Sequence, residues 1–442
     1  MTERDDSAVA RSARRKVLRR LLPLLLAMYV VAYLDRANAG FAKLQMQEKL
    51  QFTDSVFGLG LGLFFIGYLI LEIPGALLVE HWSARKWFAR ILVTWGACSM
   101  AMALVRTPEQ FYLARFLLGL AEAGFFPGVI VYFTHWFPRR ERATAMAWMF
   151  LAVPGSMALG APVSALLLGE TWFGLDGWQL VFLVEGAPAV LLGIAIPFLL
   201  PDRPRDANWL TAEERDWLVC TLDDERRDTV QAGNATLGHA LRQTNVWLLA
   251  LGILTVNIGG YGVIFWLSTL VKGLLKQVEM DSSNTATLLW TGLVFFCGMI
   301  GILAAGWSSD RHGERKWHCV AGLLGAGAFF SLAAVPGQPW AMVMLWLCIA
   351  GFASAFWIPP YWVLPTLAMT SSAAAVSIGV INICANTGGY IGNHLTGYLR
   401  DAGLTDAENL AMFAGCYATG GLILAFIRVT PHASQPLETT AT

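Results

Sequence analysis

The segment from Tyr29 to Gly40 reads YVVAYLDRANAG, and it decides what kind of fold this chain can adopt. It lies inside an apolar run from Leu21 to Ala42, which is long enough for a helix to cross the hydrocarbon core of a bilayer. Asp35 and Arg36 interrupt this run about two-thirds of the way along. A charge at that depth costs at least about 2.5–3.5 kcal/mol on insertion scales. Both residues are therefore predicted to have partners, to face a water-filled cavity or to serve function.

The composition of the whole chain agrees with a polytopic membrane protein. Of its 442 residues, 56% are hydrophobic and 14% are charged, where soluble proteins have about 25% charged residues. The sequence predicts an all-α membrane protein with twelve transmembrane helices, near 21–42, 55–79, 86–105, 109–136, 143–168, 178–200, 245–272, 284–308, 317–336, 340–368, 373–399 and 408–428. The 31 basic residues balance the 31 acidic ones, so no nucleic-acid partner is expected.

One long polar segment divides the chain into two similar parts. The prediction is a tail (1–20), a six-helix bundle (21–200), a linker (201–242), a second six-helix bundle (243–429) and a C-terminal tail (430–442). In the linker, Thr211 and Glu214 have capping-box spacing, which predicts a short amphipathic helix over 211–218. Placing the N-terminus in the cytoplasm puts 23 of the 31 Lys and Arg residues on that side and six on the other. This bias predicts that both termini are cytoplasmic, and no cleaved signal peptide is expected.

An internal repeat supports two pseudo-symmetric halves. Glu80 to Trp87 reads EHWSARKW after the second span, and Asp310 to Trp317 reads DRHGERKW after the eighth. Both carry an acid, then a small residue three places on, then Arg-Lys-Trp in the same register. Parallel six-span repeats are a known transporter architecture with the substrate site between the halves.

These repeated loops resemble the motif between spans two and three of the major facilitator superfamily. The second copy, with Asp310, Arg311, Gly313 and Arg315, is close to the family form. The first copy keeps Arg85 but has Glu80 where the family has aspartate. The resemblance implies the major facilitator fold and a gate latch at both loops, formed by an ion pair packed on a neighbouring helix end.

Longer stretches resemble the anion:cation symporter family within that superfamily. They are YLDRAN (33–38), RFLLGLAEAGFFPG (115–128), WFPRRERA (136–143), GWQLVFLVEGAP (177–188) and YGVIFWL (261–267). Members of this family move organic anions, mostly carboxylates such as tartrate, sugar acids and aromatic acids, usually with protons. The resemblance implies a multi-pass protein of the plasma membrane, here a bacterial inner membrane, that acts as a monomer without a cofactor.

Charged residues inside the predicted spans are concentrated in the first half. Arg36 can hold a carboxylate by two parallel hydrogen bonds, and the alternative is that it only neutralises Asp35 or Glu122. Arg115 is a second candidate for substrate contact, or else it regulates Glu122, which is seven residues further along the same helix face. Asp35 and Glu122 are predicted to carry protons, as the matching acids do in the family, or else to form fixed ion pairs.

Other polar residues complete the predicted site. Tyr33, Tyr68 and Asn386 match substrate-facing positions of the family, and Asn382 shares a helix face with Asn386. Glu72 and Glu185 precede prolines by two or three residues, so both are interpreted as structural. Three prolines in span ten (357–365) predict an irregular helix that could act as a gate hinge.

The sequence therefore predicts a secondary active transporter that takes up a small organic carboxylate together with protons by alternating access. Export or anion exchange on the same fold is the alternative. An enzyme is not expected, since no paired nucleophile and base, H-E-x-x-H motif or phosphate-binding loop is found. The seven cysteines are scattered without a C-x-x-C pair, and no metal site is expected. The expected partners are the anion, protons and the lipid bilayer.

Overall fold

The computed structural model describes residues 7–231, 241–368 and 371–429, and these fold almost entirely into α-helices. The first six residues, 232–240 in the predicted linker and the predicted tail 430–442 lie outside the described residues. The helices are α1 (Ala8–Leu50), α2 (Asp54–His81), α3 (Ala84–Ala101), α4 (Pro108–Glu122), α5 (Phe125–Trp136), α6 (Arg139–Leu168), α7 (Gly177–Leu199), α8 (Ala212–Gln231), α9 (Thr244–Gln277), α10 (Asn284–His312), α11 (Lys316–Ala333), α12 (Trp340–Phe356), α13 (Ile358–Tyr361), α14 (Leu364–Ala368), α15 (Ser371–Asp401) and α16 (Asp406–Ala425).

These helices form twelve spans in two sets of six. Within the described part of the chain, nine helical segments are long and apolar enough to cross a membrane. The other three spans are α11, α15 and α16, with 18, 31 and 20 residues. In α15, Asn382, Asn386 and Asn393 lower the hydropathy, although the helix is longer than a bilayer requires.

Two spans differ from their predicted form, and a third is irregular as predicted. Helix α1 begins 13 residues before the predicted boundary, because its basic N-terminal turns pack on the linker instead of ending at the membrane. Span four is broken between α4 and α5, where Gly124 has a φ of 81°, a conformation that favours glycine. Span ten is divided into α12, α13 and α14, which confirms the irregular helix that its prolines predict.

The linker is attached to the first half. Glu214 accepts hydrogen bonds from Ser12 at 2.6 Å and from Lys16 at 2.7 Å, so α8 is fixed to the start of α1. The predicted capping box is confirmed, since Thr211 and Glu214 each bond the backbone N–H of the other. Helix α8 runs to Gln231, well beyond the predicted end, and Arg142 of α6 pairs with Glu225 at 2.9 Å. The end of the bundle that carries α8 is called the linker face below, and the other end the opposite face.

Substituting Glu214 with glutamine is expected to release α8 from α1. Burial acts to raise the pKa of the Glu214 carboxyl, but bonds from Lys16, Ser12 and the Thr211 backbone outweigh it and lower the pKa to about 2. Because this pKa lies below the ordinary value of 4.5, the stabilisation is complete above pH 4.5 and is lost as the pH falls toward 2. Losing these charge-assisted bonds costs about 1.5–3 kcal/mol, so limited proteolysis within α8 is expected to be at least about tenfold faster.

The matched control is Glu213→Gln, since Glu213 is the exposed neighbour on the same helix. Equal proteolysis rates for the two variants would contradict the role of Glu214 in holding α8 to α1. The same rates measured at pH 7 and pH 4 in the native chain test the sign of the pH dependence.

The two halves pack directly against each other. Helix α2 lies along α15, and α6 lies along α10. The first contact requires glycine, because a Cβ on Gly58 would lie 2.9 Å from the Cα of Gly397 in the other half. Near the opposite face, Ser268 of α9 donates to the Gly40 carbonyl of α1 at 2.9 Å. The halves are therefore joined on two sides of the space between them, by α2 with α15 and by α6 with α10.

Candidate substrate site

A cavity of about 200 Å³ lies between the two halves. This is smaller than the roughly 300–1,000 Å³ of sites for drug-sized ligands, so it suits a small metabolite. Its two charged lining residues, Arg36 and Glu122, both belong to the first half. The other polar and aromatic lining residues are Tyr29, Tyr33, Tyr68, Phe125, Phe126, Phe150, Asn257, Tyr261, Phe295, Ser354, Trp357, Trp362, Asn382, Asn386 and Tyr417.

Arg36 is the central cation of this cavity. Its Nε and Nη2 donate to the same oxygen of Glu122, at 2.8 and 2.5 Å. The rings of Tyr33, Phe64 and Tyr68 surround the guanidinium, each with its centroid 5.1–5.3 Å from Cζ. Because one oxygen takes both bonds, the second oxygen of Glu122 has no hydrogen-bond partner within the described residues.

Asp35 faces away from this cavity, as neighbouring positions on a helix must diverge. Its carboxylate accepts from Asn38 at 2.9 Å, from Trp95 at 2.5 Å and from the Ser99 hydroxyl. Trp95 and Ser99 belong to α3. Asp35 therefore has its partners on α1 and α3, and its role as a proton carrier stays a prediction.

Arg115 is fully buried but does not line the cavity. In the described part of the chain, none of its three guanidinium nitrogens has a hydrogen-bond partner. It packs on the ring of Phe64, 5.2 Å from the centroid, so Arg36 and Arg115 share this ring. Arg115 thus lies behind the cavity wall, and its contact with a substrate stays a prediction.

The predicted amides of α15 meet an acid that the sequence analysis interprets as structural. Asn382 donates to one oxygen of Glu72, and Asn386 donates to the other at 3.4 Å. Glu72 lies on α2 in the first half, and the two amides belong to the second half. The signal available in the sequence was the acid itself, since a carboxylate at membrane depth needs a partner.

Aromatic side chains of the two halves meet on the linker-face side of the cavity. Trp362 of the second half stacks on Phe150 with the rings 12° apart, and it also contacts Phe126, with centroid distances of 6.0 and 6.2 Å. Phe126 and Phe150 belong to the first half, so these rings join the two bundles. Trp362 lies in the proline-rich segment between α13 and α14, where an irregular backbone allows the ring to move without bending a long helix.

Ion pairs close the opposite face. Lys43, which is fully buried, contacts Asp54 at 2.7 Å and lies 3.6 Å from the centroid of the Trp266 ring. Arg400 of the second half also reaches Asp54, at 2.9 Å, and binds Asp406 at 2.6 Å. This set of four charges, Lys43, Asp54, Arg400 and Asp406, is called the outer network below. The proximity of Lys43 and Arg400 across the halves is not visible from the positions of basic residues along the sequence.

The first loop motif contacts the linker and its own half. Glu80 pairs with His135 of α5 at 2.8 Å and with Arg226 of α8 at 3.4 Å. Arg85 pairs with Asp202 of the linker at 3.2 Å. The first copy is therefore joined to a neighbouring helix end, and it also anchors the linker.

The second loop motif is more self-contained. Arg315 binds Asp310 at 2.6 Å, and Arg311 lies over the Trp307 ring at 5.4 Å. Gly313 ends α10 with a φ of 65°, which explains the glycine at this position. The latch function of both copies stays a prediction.

The sequence of this chain matches a known protein family. Residues 25–393 match the family described as the Major Facilitator Superfamily. The chain belongs to this superfamily. It is therefore a multi-pass membrane transporter, which confirms the predicted fold of two six-helix bundles and the prediction that the protein is a transporter, not an enzyme.

Two relatives within the Major Facilitator Superfamily match almost the whole chain. A protein of Agrobacterium vitis named "Putative tartrate transporter" is 38% identical over 443 residues, which cover 98% of this chain and 96% of that protein. An Acinetobacter baumannii protein named "Quinolone resistance transporter" is 39% identical over 427 residues and covers 96% of each. Their different names indicate that fold and overall similarity do not specify the transported compound.

A solved structure supports the superfamily fold. The proton:xylose symporter XylE bound to 6-bromo-6-deoxy-D-glucose has a TM-score of 0.72, with 94% of this chain and 97% of that chain covered. The two sequences are 16% identical, so this likeness concerns the fold alone.

Proposed function

We propose that this protein is a proton-coupled symporter that takes up a small organic carboxylate. The observation that carries the proposal is the pairing of Arg36 with Glu122 in the cavity between the halves. The Glu122 carboxylate binds Arg36, which is the cation that a substrate carboxylate would bind. Binding of the anion then displaces Glu122, and the displaced acid takes a proton because an unpaired buried carboxylate is unfavourable.

The cavity supports a small anion with an apolar or hydroxylated body. A guanidinium surrounded by three aromatic rings keeps its forked donors in a fixed plane, which suits a carboxylate. Tyr33, Tyr68, Asn382 and Asn386 supply hydrogen bonds at the wall. The tartrate transporter named among the relatives favours a hydroxylated carboxylate as the substrate.

Asp35 is proposed as the second proton carrier. It is one residue from Arg36 on α1, and Arg115 lies within electrostatic reach of both Asp35 and Glu122. A shift of Arg36 toward the substrate would rotate α1 and change the three donors around Asp35. Arg115 would then stabilise whichever of the two acids is ionised.

The orientation proposed for this cycle has the linker face and both termini in the cytoplasm of a bacterial cell, with the protein as a monomer in the inner membrane. The bias of 23 to six basic residues supports it. The outer network would then close the periplasmic side, and the aromatic contacts of Trp362 the cytoplasmic side.

Export is the second candidate function, favoured by the relative named as a quinolone resistance transporter. The aromatic lining of the cavity fits a flat ring as well as an aliphatic acid. The same proton carriers would serve exchange of protons against the exported compound.

Transport in proteoliposomes with and without an imposed proton gradient tests the proposal. Inward-directed protons are expected to drive accumulation of tartrate in the native protein. In Glu122→Gln, gradient-driven accumulation is expected to fall at least about tenfold while exchange of internal for external tartrate continues, because neutral glutamine no longer needs a proton.

Glu185→Gln is the matched control, since Glu185 is an equally buried acid of the same half that contacts Ser164 at 2.5 Å and does not line the cavity. Accumulation that is unaffected by the gradient would contradict symport. Accumulation driven by outward-directed protons would support the export alternative.

A further inference from the structure

We infer that Glu72 is a positioning residue of the transport cycle, which holds Asn382 and Asn386 in the empty site and competes with the bound substrate for both amides. The inference rests on the proposed function, because it concerns the same cavity. It assigns the second half of the site a substrate requirement: an oxygen-rich group at the end of the molecule far from its Arg36-bound carboxylate.

The contacts of Glu72 cross between the two bundles. Its carboxylate on α2 accepts from Asn382 and Asn386 on α15, and its side chain is only 6% exposed. A carboxylate can accept at both oxygens, so one acid satisfies both amides at once. Asn386 also donates to the backbone carbonyl of Asn382 at 3.1 Å, so its amide is held by its own helix as well as by Glu72.

The position of this contact matters for the cycle. Glu72 lies nine residues from the end of α2 at the linker face, and Asn382 lies 11 residues from the start of α15 at that face. At 1.5 Å per residue, both are about 14–17 Å from the linker face. The bridge therefore lies in the same layer as the Trp362 contacts, where the two halves must separate when the cavity opens toward the linker face.

The donor groups at the two ends of the cavity each bind an internal carboxylate. Glu122 binds Arg36 on the first half, and Glu72 binds the amides of the second half. Both Arg36 and the amides line the cavity, so a substrate that spans it meets at each end a donor that already binds an internal carboxylate. A substrate that displaces only one of these two carboxylates leaves the other carboxylate bonded to its partner.

This arrangement discriminates between substrates. A dicarboxylate or polyhydroxy acid offers acceptor oxygens at both ends and can replace both internal carboxylates. A short monocarboxylate reaches Arg36 and leaves the Glu72 bridge intact. The structure thus favours the longer anion for passage toward the linker face, because only this anion releases the contact that joins the halves.

The first experiment measures the bridge without any ligand. Hydrogen–deuterium exchange of the purified full chain is compared for the native protein, Glu72→Ala, Glu72→Gln and Glu185→Gln. Exchange in the segment around Asn382 and Asn386 is expected to be severalfold faster in Glu72→Ala, intermediate in Glu72→Gln, whose amide oxygen still accepts, and unchanged in Glu185→Gln. Native-like exchange in Glu72→Ala would overturn the inference.

The second experiment measures the affinities of tartrate and lactate for the same proteins by calorimetry, with Arg36→Ala as the reference for site-specific binding. Because the competitor is removed, Glu72→Ala is expected to bind tartrate about tenfold more tightly and lactate with unchanged affinity. A merely structural role of Glu72 would change the affinities for tartrate and lactate together. The ratio of the tartrate affinity to the lactate affinity is therefore the decisive readout.

The outcomes separate this inference from the proposed function. Arg36-dependent binding of tartrate with an unchanged tartrate-to-lactate ratio in Glu72→Ala overturns the role of Glu72 and leaves carboxylate binding intact. Absence of Arg36-dependent binding for both anions in the native protein overturns the carboxylate assignment, and the competition with it. A raised ratio in Glu72→Ala with a smaller rise in Glu72→Gln supports the inference.

Discussion

Replacing Arg36 with alanine is expected to lower uptake of the transported carboxylate at least about 100-fold. The guanidinium makes two hydrogen bonds to Glu122, and the proposed substrate takes the same two donors. Two charge-assisted bonds at about 1.5–3 kcal/mol each account for a loss of this size. Initial uptake rates in proteoliposomes, normalised to the amount of folded protein, measure the effect.

Two further variants make the Arg36 test specific. Arg36→Lys keeps the charge but loses the planar fork, so an intermediate loss is expected. Arg106→Ala is the control, because Arg106 is an exposed cation at the opposite face. Uptake by Arg36→Ala above half of the native rate would contradict a role of Arg36 in substrate binding.

Replacing Asp54 with asparagine is expected to destabilise the closed opposite face by about 3–5 kcal/mol. The substitution leaves Lys43 buried without its carboxylate and removes one partner of Arg400. The first effect destabilises the first half and the second weakens a contact between the halves, so the melting temperature should fall and the opposite face should open more often. Thermal unfolding of the purified protein and labelling of cavity residues by an impermeant reagent from that side measure the two consequences.

The control for Asp54 is Asp176→Asn at the same face. Asp176 pairs with Lys49 at 3.0 Å, but this pair is exposed and is expected to contribute only about 0–1 kcal/mol. Equal melting temperatures for the two variants would show that the outer network does not hold the halves together.

The sequence was sufficient for the spans and for the main cation of the cavity. The depth of Asp35 and Arg36 in an apolar run requires partners, and Glu122 is among the few charges able to reach Arg36. The prolines in span ten likewise predict a break in the helix, because proline lacks the backbone N–H that a regular helix needs. These features depend on neighbouring residues along the chain or on the energetics of burial.

The contacts between distant helices could not be predicted from the sequence. Asp35 binds Trp95 and Ser99 because α3 packs beside α1, and Glu72 binds Asn382 because α2 crosses α15. Such pairs depend on helix rotation and on close approaches such as that of Gly58 to Gly397. No pattern in a single sequence encodes these distances, so acids with equal burial could not be divided into structural and cavity-facing groups.

The charges that line the cavity, Arg36 and Glu122, belong to one half, and this placement has an electrical consequence. If the halves rock as rigid bodies in the proposed cycle, both groups move together with the first half, so the net charge that crosses the membrane field is set by the bound anion and by the protons on the acids. Moving one elementary charge through 100 mV costs or releases about 2.3 kcal/mol. A dianion accompanied by two protons would cross without electrical work, whereas the same dianion with three protons would be driven inward by a negative membrane potential.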